Sequence, residues 1–156
     1  MFKIAIVIAA LFAYGTNAEA RVQQGPNEDF RSIVPDGWRL LPPAQGTNER
    51  RFVSASGDAW LSLYAVPTQG QSVEYHMQQV FQNTDQITYE RRGLSWIVVS
   101  GYNGNRIFYR KAMLACHGRK WHHLAFEYPA AQKRTFDGFV TRASFALQAY
   151  QNVGCS

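Results

Sequence analysis

Cys116, His117, His122 and His123 fall within eight residues of one another. A thiolate and imidazoles are the donors of zinc and copper sites. The spacing argues against such a site. His122 and His123 are adjacent in a stretch that reads as strand, so their side chains leave opposite faces. His122 is expected on the face of Leu124, and His123 on that of Trp121. No C-x-x-C or H-E-x-x-H pattern is present. A cluster of core and turn histidines is the competing reading, and no metal or other cofactor is expected. Gly93-Leu94-Ser95-Trp96-Ile97 begins like a nucleophile elbow but lacks its second glycine, so it reads as strand. Acidic residues are few. Glu28 and Asp29 lie in a polar lead-in, and Glu127 is expected to pair with Arg110 across two strands, so no carboxylate pair suggests glycoside hydrolysis. Neither a phosphate-binding glycine loop nor a dinucleotide fingerprint appears.

Basic doublets are the most suggestive surface feature: Arg50-Arg51, Arg91-Arg92, Arg119-Lys120 and Lys133-Arg134. If they converge, they form a surface for an anionic partner. If they point in different directions, they are solvated charges at element ends. The chain has two cysteines, Cys116 and Cys155. In an oxidising compartment such a pair bonds, closing a loop that stabilises by roughly 3–4 kcal/mol in the chain-entropy model. Two free thiols are the alternative.

The compartment is written in the first twenty residues. Lys3 precedes an apolar run from Ile4 to Ala13, and Ala18-Glu19-Ala20 offers small residues to a signal peptidase. That run has about half the length a membrane-spanning helix requires. It predicts a signal peptide over 1–20 and a secreted, periplasmic product starting at Arg21. Removing 20 of the 156 residues leaves a chain suited to one domain, still with net charge +5 because Lys3 and Glu19 leave together. No transmembrane anchor is expected after cleavage. Nucleic acid is not an expected partner outside the cytoplasm, and no motif for it is present.

The elements that must position these groups follow from turn chemistry and periodicity. Residues 21–29 read as a flexible lead-in. Phe30–Val34 reads as a short strand or helical turn, and Pro35-Asp36-Gly37 as a turn that places Trp38 at one end of the core. Residues 51–54 and 59–66 form a hairpin around Ala55-Ser56-Gly57-Asp58. Ser72 caps a helix to about Asn83, with Val73, Met77, Val80 and Phe81 on one stripe. A meander follows over 86–129, turning at Asn103-Gly104 and Gly118-Arg119. In that register Trp96, Val98, Ile107, Tyr109, Met113, Leu124, Phe126 and Tyr128 share one face, with Lys111 snorkelling among them. Ile97, Val99, Phe108, Leu114, Cys116 and Trp121 share the other. A final helix over 131–148 carries Phe136, Phe139, Val140, Ala143 and Leu147 on its apolar stripe. Residues 149–156 form a tail. The fold class is α+β: a twisted, mostly antiparallel sheet with helices packed on it, a single domain over 30–148.

The order Pro35-Asp36-Gly37-Trp38, then Arg51-Phe52-Val53-Ser54-Ala55-Ser56-Gly57-Asp58-Ala59-Trp60, a helix, a meander closing on Glu127-Tyr128-Pro129 and a last helix resembles the PsbP-like superfamily. These are small α/β/α sandwich proteins, and the resemblance spans roughly 30–148. It implies a binding role rather than catalysis, and it carries no functional residue onto this chain. The expectation is a secreted, non-catalytic binding or accessory protein of the bacterial envelope, its partner a protein or an anionic envelope component. The alternative is a small secreted hydrolase whose site is scattered along the chain.

Overall fold

The computed structural model describes residues 33–152 and Cys155. The expected leader, the lead-in and the first residues of the 30–34 segment lie outside the described residues. In chain order the strands are Arg39–Leu40 (β1), Arg50–Val53 (β2), Trp60–Pro67 (β3), Gln86–Arg92 (β4), Trp96–Asn103 (β5), Arg106–Ala115 (β6) and Lys120–Pro129 (β7). Helix α1 (Val73–Val80) follows β3, and α2 (Lys133–Ala149) follows β7 through a 3-10 turn at Ala130–Gln132. One sheet joins the seven strands in the order β1-β2-β3-β7-β6-β5-β4, antiparallel throughout. The chain leaves β3, crosses one face as α1, enters the far edge as β4 and returns strand by strand until β7 pairs with β3. Strand β1 is the element that periodicity does not announce, because it is two residues of pairing, Arg39 with Val53 and Leu40 with Phe52.

Alternation divides the sheet into two apolar faces. Under α2 lie Leu61, Leu63, Ile107, Met113, Leu124, Phe126 and Tyr128, which bury Phe136, Ala143 and Leu147. Trp38 closes one end of this core against Phe126 and Phe136, with ring centroids 5.4 and 6.1 Å apart. Under α1 lie Ile97, Val99, Phe108, Ala112 and Trp121, packed by Val73, Met77 and Phe81. Ser72 caps α1 as expected, accepting a hydrogen bond from the Tyr75 amide at 3.2 Å.

Each meander turn sits one residue from its expected centre, the first one later and the second one earlier. Asn103 pairs with Arg106, so Gly104 and Asn105 are the central residues. Only Gly104 has positive φ (59°), the II′ pattern with glycine first, rather than the I′ turn of a central Asn-Gly. At the next turn Ala115 pairs with Lys120 across a four-residue loop in which Cys116, His117 and Gly118 all have positive φ. Each shift moves the partner by two residues. Since side chains alternate with period two, the strand residues keep their faces while individual partners change; Cys116, expected on the Trp121 face, instead falls in the loop. Arg110 therefore stands opposite Ala125, not Glu127. Glu127 pairs instead with Arg106 at 2.5 Å, and Arg110 with Asp85.

Lys111 does not snorkel to an edge. It is 5% exposed in the middle of the α2 face, and its Nζ donates to the Ser144 carbonyl at 2.6 Å. A helix packed overhead supplies the acceptor that water would otherwise provide.

The meander's outer edge depends on one close approach. A Cβ on Gly101 would lie 2.0 Å from the Gln86 carbonyl oxygen, beside the bulge between Ile87 and Tyr89. Gly101→Ala is expected to push β4 off the sheet and to cost about 1–3 kcal/mol. Chemical denaturation measures the loss, and hydrogen exchange confined to 86–92 identifies the strand that moves.

Candidate functional site

Helix α1 is too short to cover its face. Eight residues rise about 12 Å, whereas the outer strands of a seven-stranded sheet lie about 29 Å apart. The half of the face formed by β2, β3 and the C-terminal part of β7 is therefore left beside the helix end. There the structure has a groove of about 470 Å³ lined by Arg51, Trp60, Ser62, Tyr64, Gln82 and Glu127, among others. That volume lies within the roughly 300–1,000 Å³ typical of small-molecule sites.

The groove's charges are matched within its own walls. Arg51 lies 3.7 Å from Glu49. Arg106 pairs with Glu127, donates to the Asp58 carbonyl at 2.8 Å and places its guanidinium 4.1 Å from the Trp60 ring centre. Arg110 pairs with Asp85 and donates to the Val80 carbonyl at 2.9 Å, tying the end of α1 to β6. Burial pushes the Tyr64 hydroxyl pKa up, with a smaller push from Glu49, so it stays protonated at neutral pH.

Behind Tyr64 lies a buried histidine pair. His76 of α1 and His123 of β7 bring their Nε2 atoms to 2.9 Å. Tyr64 stacks on His123 at 4.3 Å, and Trp121 on His76 at 4.4 Å. Burial, then the neighbouring His76 and His122, bring the His123 pKa down to about 3. Burial also lowers His76. Both rings are neutral at pH 7, one donating and the other accepting, so the pair fastens α1 to the sheet. Two nitrogens do not complete a four-coordinate metal site, and no group of three or more His, Cys, Asp or Glu residues is placed to hold a metal among the described residues.

His122 and His123 lie on opposite faces, His122 with Leu124 and His123 with Trp121, as the strand reading requires. The partner of His123 comes from α1. His76 stands three residues after Val73 and four before Val80, on the stripe itself. Taking its imidazole as polar hides it, and the helical spacing was the signal that could have found it.

The basic doublets are not brought together. Arg50-Arg51 on β2 and Arg91-Arg92 on β4 are five strand spacings apart, about 24 Å. Arg119-Lys120 begins β7, and Lys133-Arg134 follows its far end, about 33 Å along the strand. Within the doublets, Arg92 lies 3.6 Å from Glu74, Lys133 pairs with Asp137 at 2.6 Å, and Arg119 donates to the Cys155 carbonyl at 3.1 Å.

Cys116 and Cys155 form a disulfide. It holds the tail where the Cys116 amide donates to the Gln151 carbonyl at 3.0 Å and the Gln151 side chain donates to the Leu114 carbonyl at 3.0 Å. Reduction is expected to lower stability by about 2–4 kcal/mol, read as a drop in the urea midpoint with the slope retained. Among the described residues no helix is long and apolar enough to cross a membrane.

No family model matches the sequence, and no curated protein matches it. Among solved structures the chain is similar to cyanobacterial PsbP (CyanoP) from Synechocystis. The likeness covers 72% of this chain and 82% of that one, at 11% identity and a TM-score of 0.51. It establishes the fold as PsbP-like.

Proposed function

We propose that this chain is an exported, non-catalytic binding protein of the bacterial envelope, residing in the periplasm and taking its ligand in the groove beside α1. The groove carries the reading. It is open and lined by rings and internally matched charges, and the proton-transfer candidates nearest its floor are inert at neutral pH. Tyr64 keeps its proton, and His76 and His123 are sealed behind it at 5% and 4% exposure with their facing nitrogens used on each other. A hydrolase needs a group that titrates near its working pH within reach of substrate. The Cys116–Cys155 bridge and the leader pattern support an oxidising destination.

The test immobilises the secreted protein and exposes it to envelope extract at low and high salt. Gln82→Trp, which enlarges an exposed side chain at the groove rim, serves as the comparison. The expected result is a component retained by wild type and lost by Gln82→Trp, with N-terminal sequencing of the secreted chain starting at Arg21. Equal retention by both proteins removes the groove from the account. Turnover in a broad substrate screen, with nothing retained, replaces binding by catalysis.

A further inference from the structure

We infer that the groove is a site for a neutral oligosaccharide, an inference that rests on the binding role proposed above and names its ligand class. Three observations select this chemistry. First, the wall is electrically matched. Arg51 stands 3.7 Å from Glu49, while Glu127 and Arg110 are compensated by Arg106 and Asp85, so the groove offers no excess charge to an anion or cation.

Second, the floor offers side chains rather than free backbone. Strand β7 is paired by β3 and β6, and β3 by β7 along its length and by β2 over Trp60–Leu63. An extended peptide that binds a sheet draws its affinity from unpaired strand-edge amides and carbonyls; β2 occupies that edge of β3 over Trp60–Leu63, and beyond it the Asn48 side chain donates to the Ala65 carbonyl at 2.7 Å. Third, the side chains are of two complementary kinds. Trp60 and Tyr64 supply flat apolar surface, and Gln79, Gln82, Glu127 and the Arg51–Glu49 pair supply adjacent donors and acceptors. A sugar hydroxyl donates and accepts at once. Two neighbouring hydroxyls on a pyranose ring can therefore bridge a guanidinium and a carboxylate that stand side by side, while the C–H face of the ring lies on an aromatic plane.

The experiment is an amide NMR titration of the mature chain. Neutral trisaccharides of glucose and of N-acetylglucosamine are compared with inorganic phosphate and with an uncharged, end-capped tripeptide. A trisaccharide is expected to shift amides of residues 60–64, 79–82 and 125–127 with a Kd of about 1 mM or tighter. That affinity should be unchanged by added salt, since the wall has no net charge to screen. Gln79→Ala near the end of α1 and Gln82→Ala just beyond it, both at exposed positions, should each weaken it about twofold to tenfold while leaving the unfolding midpoint in place. Phosphate or the tripeptide moving these amides in place of the sugars overturns the proposal. So does sugar binding that neither glutamine variant weakens. A last arm adds the small-molecule fraction of an envelope extract. If that fraction moves the groove amides and no trisaccharide does, the ligand class is wrong and the groove stands. If neither moves them, the binding reading falls as well.

Discussion

Acidification below about pH 6.5 is expected to destabilise this protein by up to about 1.4 kcal/mol per pH unit for each histidine that the fold keeps neutral. His123, brought down to about 3 chiefly by burial, contributes over the widest window. His76 is lowered by burial, and His122 by burial and then by the charge of Lys120, partly offset by a backbone hydrogen bond at Tyr150. In all three the folded state takes up its proton at lower pH than the unfolded chain. Between those two values the unfolded chain holds more protons, so stability is full above about 6.5 and is lost as pH falls towards the folded value. Protonating His123 would place a cation between Tyr64 and His76. Urea denaturation at pH 7, 6 and 5 measures the slope. The double variant His76→Phe, His123→Leu should flatten it, leaving the part due to His122. A wild-type stability that is level from pH 7 to 5, or a double variant with the wild-type slope, would show that the pair is not the source.

Asp85→Ala is expected to cost about 3–5 kcal/mol, because it leaves the Arg110 guanidinium buried and unpaired. The Asp85 and Arg110 side chains are 1% and 13% exposed. Asp85 also accepts a hydrogen bond from the Gln82 amide at 2.8 Å, so one carboxylate holds the segment after α1 and the cation beneath it. Breaking the exposed Arg92–Glu74 pair with Glu74→Gln should cost less than about 1 kcal/mol, since water solvates both partners when they separate. Thermal unfolding of the two variants side by side makes the comparison. If Asp85→Ala is as mild as Glu74→Gln, Arg110 has another partner and the account of the α1 anchor fails.

Much of the architecture was legible because it rests on periodicity. Tyr109 and Leu124 share a face, and Phe136 and Val140 turn towards the sheet, as alternation and helical spacing require. Even the misplaced turn centres did no damage to the layers, since an error of one residue at a hairpin centre moves partners by two and preserves the side. What it did spoil was pair identity. The partnership of Arg110 and Glu127 dissolved into Arg110 with Asp85 and Arg106 with Glu127, a change no facial pattern reveals. Lys111 followed the same logic: its face was readable, its acceptor on α2 was not.

The groove was not legible. Trp60, Ser62 and Tyr64 alternate along β3 on the side of α1, and on the other face of the same sheet such residues would simply be covered by the seventeen-residue α2. That they line a groove depends on where the eight-residue α1 lies across the strands, which is a matter of crossover length and strand order. The composition of each face, the helix cap at Ser72 and the two cysteines available to bond could be read from the chain, because they depend on neighbours within a few positions or on residue type alone. Strand order, the meeting of His76 with His123 and the dispersal of the basic doublets were decided by tertiary structure. Each is a contact, or a separation, between segments tens of residues apart, and local spacing holds no information about which distant segment fills a given space.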